Sequence, residues 1–192
     1  HPAGAVDALG NLERQGARVI IASSDKDFMQ LVSDRVGLVN PNDKSEVIWT
    51  TEQVREKTGV APAQIVDWLS LVGDTVDNIP GVLGVGPKTA TELLNRFGSV
   101  EALYARLPEV AAQKMRLNLH ASAADVRRNQ RLIRLNDDLG IEWALEDVAV
   151  RPAEVERLGQ LFARWGFRTM LRELTGQAAD QGELFGRPAA NR

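Results

Sequence analysis

Two hydrophobic rhythms alternate along the first third of the chain. The run ARVIIAS at positions 17–23 is short, apolar and β-branched, so it reads as a buried strand. In DKDFMQLV, Phe28, Leu31 and Val32 recur at helical spacing, and RVGLVNP then returns to a strand pattern that Asn40-Pro41 stops. Strand, helix and strand in that order predict a parallel α/β unit. Helical spacing takes over further on. Thr50, three residues ahead of Gln53, forms a capping-box signature, and Gly59 suits a left-handed end, which bounds a helix over TTEQVREKTG. APAQIVDWLSLVG places Pro62 in a first turn and Ile65, Trp68, Leu69 and Val72 on one face. PKTATELLNRFG starts at Pro87, carries the stripe Ala90, Leu93, Leu94 and Phe97, and closes at Gly98. More helices are expected over 99–135, with Ser122 and Asp125 suited to a helix start. Val155, Leu158, Leu161, Phe162 and Trp165 read as a core stripe. Periodicity fades from about Gln177. The pattern therefore predicts an α/β part over 1–60, a helical part over 61–176 and a mobile tail over 177–192.

Composition narrows the chemistry. The chain has 192 residues, 44% hydrophobic and 26% charged, as expected of a folded protein. No apolar run reaches the roughly 20 residues of a membrane span, and no charged-then-apolar leader opens the sequence, so a soluble protein is expected. There is no cysteine, and the two histidines are His1 and His120. Disulfides, thiolate nucleophiles and cysteine-ligated zinc are excluded, and any metal would be held by oxygen.

Net charge is −3, but it is unevenly spread. Residues 1–83 carry 7 Lys/Arg against 12 Asp/Glu, residues 84–134 carry 9 against 4, and residues 135–192 carry 7 against 10. A basic stretch beside an acidic one can track a phosphate backbone while the acidic part holds cations; solvation of helix surfaces is the other reading.

Asp25 and Asp27 follow directly on the first predicted strand, where open parallel sheets present ligand-binding groups. Asp74 and Asp77 sit where a predicted helix ends. If all four carboxylates met in one crevice they would repel unless a cation lay among them, and hard ions such as Mg²⁺ or Mn²⁺ prefer such ligands. Two ions about 4 Å apart are a standard arrangement for phosphodiester hydrolysis. Asp is also favoured as a helix N-cap and in turns, so Asp25 as a cap and Asp74 as a turn residue stay open.

In GVLGVGPKTAT, Gly81, Gly84 and Gly86 permit left-handed backbone and leave N–H groups uncovered, and a helix starting at Pro87 aims its positive end at the same place. The spacing to Lys88 is not that of a P-loop, and a helix, not a strand, precedes it. Helix, glycine hairpin, helix describes it better. Such a hairpin grips a phosphate backbone without reading bases, with Lys88 and Thr89 adding charge and hydroxyl contacts; a plain helix–helix turn is the alternative.

With these residues in place, VIIASSDKDFMQLVSDRVGLVNP, GDTVDNIPGVLGVGPKTATELLNRFGSVEAL and, more loosely, RRNQRLIRLNDDL resemble the 5′-nuclease family, above all the 5′→3′ exonuclease domain of bacterial DNA polymerase I and its free-standing relatives. The resemblance spans roughly residues 17–139. It implies a partial parallel-sheet nuclease core of PIN-like design followed by a helical helix-three-turn-helix region, and a cytoplasmic bacterial enzyme. Asp25, Asp27, Asp74 and Asp77 would bind the divalent metals, Mg²⁺ or Mn²⁺. Gly81, Gly84, Gly86, Lys88 and Thr89 would contact duplex or 5′-flap DNA, with K⁺ held by loop carbonyls. Family members remove RNA primers and 5′ flaps. The family's opening strand with its essential Asp has no counterpart before His1, and its Glu-Ala-Asp-Asp is matched by Gly4-Ala5-Val6-Asp7, which keeps Asp7 alone as a further metal candidate. Residues 1–16 are thus expected to mark a truncation or a diverged junction, and the chain is expected to bind DNA more readily than it cuts it. A non-catalytic DNA-binding module is the alternative. Gln181-Gly-Glu-Leu-Phe185 is similar to the short Gln-x-x-Leu-Phe peptide that docks on the bacterial sliding clamp.

Overall fold

The computed structural model describes residues 16, 18–45, 47–136, 146 and 149–184, with side chains as far as residue 176. They fall into two compact units that divide between Asp147 and Val148.

In the first unit, β1 (Val19–Ala22) runs parallel to β2 (Val36–Val39), with Val19 opposite Val36 and Ala22 opposite Val39. The link between them is a 3₁₀ helix, Lys26–Leu31, in place of the α-helix that the spacing suggested. Asp25 caps it by accepting the Asp27 N–H, and Met29 and Val32 turn inward. A third strand, β3 (Ile48–Trp49), pairs antiparallel with β2. Two residues are too few to leave a period-2 signature, which is why the pattern did not announce it.

The helices follow: α1 (Thr51–Thr58), α2 (Ile65–Val72), α3 (Pro87–Phe97), α4 (Val100–Ala105), α5 (Gln113–Ala121) and α6 (Ala123–Ile133). At α1 the predicted capping box forms between Thr50 and Gln53, and Gly59 closes the helix at φ 77°. In α3 all four stripe residues, Ala90, Leu93, Leu94 and Phe97, are buried. Helix α2 is buried more widely than one stripe predicts: Val66, Asp67, Ser70 and Leu71 join Ile65 and Leu69, while Trp68 and Val72 are only partly covered. Its one charged residue is satisfied inside the fold. Asp67 Oδ2 accepts the Val100 N–H at 2.9 Å, and its Oδ1 accepts the Gln130 amide at 2.7 Å. A carboxylate from α2 thus supplies an acceptor for the opening turn of α4.

Leu94, fully buried, lies in the core with Ile65, Leu69, Leu103, Leu119 and Ile133. Leu94→Ala should lower unfolding free energy by about 3 kcal/mol through lost transfer energy and a residual cavity, read from urea melts.

The second unit holds α7 (Val155–Trp165), a turn at Gly166, and α8 (Arg168–Leu184). Phe167 packs edge-on to both Phe162 and Trp165, at 6.1 Å between ring centres in each case. The expected core stripe on α7 is covered only in part: Leu158, Leu161 and Phe162 are half-buried, whereas Val155 is 44% exposed and Trp165 61%. Amphipathic spacing marks an apolar face, but only a packing partner buries it. Helix α8 runs through Leu184, into the stretch where fading periodicity suggested a tail.

Candidate metal centre and anion cradle

Asp25 and Asp27 lie just past the C-terminal end of β1. The Asp25 N–H donates to Ser23 Oγ at 3.1 Å, and the Asp27 N–H to Asp25 Oδ1 at 3.0 Å. Asp25 therefore does serve as a cap, and the turn it closes holds the Asp27 carboxyl in the crevice.

Asp74 is set by a different device. Helix α2 ends at Gly73, with φ 83° and ψ 171°. Directly after it, Asp74 and Ile79 exchange two backbone hydrogen bonds of 2.8 and 2.7 Å, closing residues 75–78 into a tight loop. Asn78 turns this loop at φ 55°, a conformation Asn tolerates better than most residues. Asp74 Oδ1 accepts the Val76 N–H at 2.9 Å, and Asp77 stands exposed on the same loop.

These two stretches meet. Burial pushes the Asp27 carboxyl up to about 6, and the negative charges of Asp25, Asp77 and Asp74 add to the effect, against a smaller opposing influence of Lys26. All four predicted carboxylates therefore share one electrostatic neighbourhood. Asp27 Oδ1 is buried and has no hydrogen-bond partner among the described residues, an orphaned acceptor that a cation would satisfy. Lys26 supplies the cation that is present: its Nζ lies 2.7 Å from Asp74 Oδ2, on a side chain only 3% exposed. Desolvation raises the Asp74 carboxyl, but hydrogen bonds from Lys26 and the Val76 N–H, with the Lys26 charge, outweigh it and hold the group below the usual carboxylate range. Among the described residues no three carboxylate or imidazole groups gather closely enough to hold a metal ion by themselves. Asp7 lies outside the described residues. Lys26 was missed as a participant because a lone lysine between two aspartates carries no spacing signal.

Beyond Asp74–Ile79 comes the glycine hairpin. The Val82 N–H donates to Leu71 O and the Val85 N–H to Val82 O, with both valines buried. Only Gly84 of the three hairpin glycines is left-handed, at φ 80°. Gly81 is needed for a different reason than the one expected: a Cβ there would come within 2.1 Å of Val72 O, because the returning chain presses on the end of α2. Gly86 is extended, at φ −95°, and heads α3, whose opening turn leaves N–H groups without intrahelical acceptors. Gly84, Gly86 and Lys88 are exposed and Thr89 half-buried.

Two side-chain amides anchor this loop. Asn118 Nδ2 donates to Leu83 O at 2.8 Å, and the fully buried Asn129 Nδ2 donates to Pro80 O at 2.7 Å and Ser70 O at 3.2 Å. Neither was legible in the chain, since an Asn on a helix gives no hint of partners 35 to 59 residues away. Of the Gln181–Phe185 peptide, the backbone to Leu184 is helical and Phe185 lies outside the described residues.

Residues 60–156 match the family model described as 5′-3′ exonuclease, C-terminal SAM fold. A 5′-3′ exonuclease of Aquifex aeolicus is 38% identical over 174 residues, covering 90% of this chain and 58% of its own. DNA polymerase I of Bacillus caldotenax is 34% identical over 181 residues, covering 91% and 21%. Among solved structures, the flap endonuclease of bacteriophage T5 in a complex with DNA and metal ions matches with a TM-score of 0.63 at 26% identity, over 69% of this chain and 48% of that one. The chain thus spans little more than half of the exonuclease and about a fifth of the polymerase. No helix among the described residues is long and apolar enough to cross a membrane.

Proposed function

The chain belongs to the 5′-3′ exonuclease family, and on that footing we propose that it forms the metal- and DNA-contacting part of a structure-specific 5′→3′ nuclease acting on DNA. The observation that supports this reading is the shared electrostatic neighbourhood of Asp25, Asp74 and Asp77 with the buried Asp27 carboxyl, with a glycine hairpin next along the chain. That donor set, all oxygen, fits Mg²⁺ or Mn²⁺. A divalent ion held there would supply Lewis acidity and an acidified water for phosphodiester hydrolysis.

The chain's own residues do the rest. Asp25 and Asp27 reach in from the end of β1, and Asp74 and Asp77 from the closed loop. Lys26 balances charge before a metal arrives. Gly84 and Gly86 let a phosphate approach the opening turn of α3, with Lys88 and Thr89 beside it. K⁺ at the hairpin belongs to the same proposal and would share the Leu83 carbonyl with Asn118. Docking of Gln181–Phe185 on a sliding clamp is a separate proposal, tested by loss of clamp pull-down in an L184A/F185A variant.

Nothing inside the fold requires glycine at 86: its φ is negative and an added Cβ would meet no atom within 4 Å. What the bare backbone leaves room for is an outside partner. Gly86→Ala should cost at most about 1 kcal/mol of stability, the penalty for a poorer cap. It should also lower duplex affinity about tenfold, the loss of one charge-assisted contact. Equal affinity for the two proteins in a fluorescence anisotropy titration would remove the cradle from the proposal.

A second reading, a DNA-binding module that does not cut, is favoured by the Lys26–Asp74 ion pair and by the lack of a three-carboxylate cluster among the described residues. A 5′-flap substrate with Mg²⁺ separates the two. The nuclease reading expects metal-dependent product, and the module expects the same DNA affinity in chelator and no product. Failure to bind flap or duplex DNA at all would overturn both.

A further inference from the structure

Beside the carboxylates, at the C-terminal ends of β1 and β2, lies a cavity of about 210 Å³ that shares Asp25 and Lys26 with the proposed metal site and extends away from it. Met29 and Leu38, each 5% exposed, belong to the core and form its inner lining, and the indoles of Trp49 and Trp68, both half-buried, line it as well. Exposed Ser24, Asp25 and Lys57 open it to solvent. Trp68 is fixed in place. Its Nε1–H donates to Thr91 Oγ1 at 3.0 Å and Pro87 O at 3.3 Å, both in the first turns of α3 behind the glycine hairpin. With its polar edge engaged there, the indole has hydrocarbon left to offer a ligand. Asn40, whose Oδ1 accepts the Asn42 N–H, contributes an amide to the lining.

Apolar and aromatic surface, a few hydrogen-bonding groups and a lysine at an open rim suit a flat heteroaromatic ring attached to an anion. We propose that this cavity is a base-binding subsite. It takes one unpaired nucleobase of a DNA strand against Trp49 and Trp68, with Lys57 on the adjoining phosphate, while the strand passes the carboxylates through shared Asp25. The inference deepens the nuclease reading and rests on it. It supplies what the hairpin lacks, since a cradle for backbone phosphate cannot tell unpaired from paired DNA.

The test measures affinity of the whole chain for a 5′-flap DNA and for a blunt duplex by fluorescence anisotropy, in Ca²⁺ to suppress cleavage. Trp49→Leu should weaken flap binding about tenfold, the loss of one stacked base, and leave blunt duplex within about twofold. Trp49→Phe should recover most of the difference, and Lys57→Ala should weaken the flap alone. A 2-aminopurine at the first unpaired position should be quenched by the wild-type chain. Unchanged flap affinity in Trp49→Leu, or equal weakening on both DNAs, overturns the subsite and leaves the nuclease reading standing. Should Trp49→Leu fail to fold by circular dichroism, an unquenched 2-aminopurine on wild type that binds the flap overturns it instead. Wild type that binds neither DNA takes both readings down together.

Discussion

Asp27→Asn is expected to stabilise the metal-free protein and to abolish its response to Mg²⁺. The sign follows from linkage. The Asp27 carboxyl titrates near 6 in the folded chain, above its ordinary 3.8, so the native state holds a proton that the unfolded state has released. Stability therefore falls as pH rises through the window from about 4 to 6, and at neutral pH the ionised group is a standing penalty. Burial is the largest cause and the three neighbouring aspartates add to it. Asn removes the charge and brings two donors among those carboxylates. Discounted for partial solvation, the gain in chelator at pH 7 is about 1 kcal/mol, roughly 2–4 °C in melting temperature for a chain of this size. The slope between pH 4 and 6 should flatten as well. With Mg²⁺ the ranking should reverse, because wild type gains by mass action while the variant loses at least about tenfold in metal affinity. Thermal melts with and without Mg²⁺ at pH 5 and 7 give all four values. A variant that melts lower in chelator and still responds to Mg²⁺ would contradict the crevice as described.

The largest structural loss is expected for Gly73→Ala. At φ 83° and ψ 171° the residue occupies backbone space that is essentially glycine's alone. A Cβ there would also come within 2.4 Å of Gly81 N and 2.7 Å of Ile79 O, atoms of the returning chain that cannot swing aside as a side chain could. Together these should cost about 3 kcal/mol or more, roughly 10 °C in melting temperature. The consequences reach function, because Asp74 follows immediately and Gly81 begins the hairpin. Any folded fraction should bind duplex DNA weakly and show little Mg²⁺ response. A Gly73→Ala protein that melts and binds like wild type would mean that the end of α2 is not held as described. Gly86→Ala serves as the control for the melting temperature alone, being a glycine with open space around it.

Local rules account for most of what could be read in advance. Thr50, Gln53 and Gly59 bound α1 because caps depend on neighbours two to four positions away. The α3 stripe was legible because one face meets the core. Reading failed where the cause was distant. Asp67, in the otherwise apolar IVDWLSLV, carries no local signal of its role, yet it holds α4 through Val100 and α6 through Gln130. Gly81 was expected for its backbone freedom and serves by lacking a side chain against Val72. On α7 the apolar spacing was correct but only its middle is partly covered, since spacing identifies a face and leaves its cover unspecified. At the candidate site, residue types and their pairing were readable, whereas the Lys26–Asp74 contact depends on how two distant loops are set side by side.

That contact would make metal uptake at the proposed site an exchange. On the proposed reading, an ion entering between the aspartates would have to displace an ammonium from Asp74, so its apparent affinity would include the cost of the departure. The displaced lysine would then be at liberty to swing toward solvent as an extra positive arm. Attraction for a polyanion would rise only after loading, and the protein would favour its substrate in the state equipped to act on it.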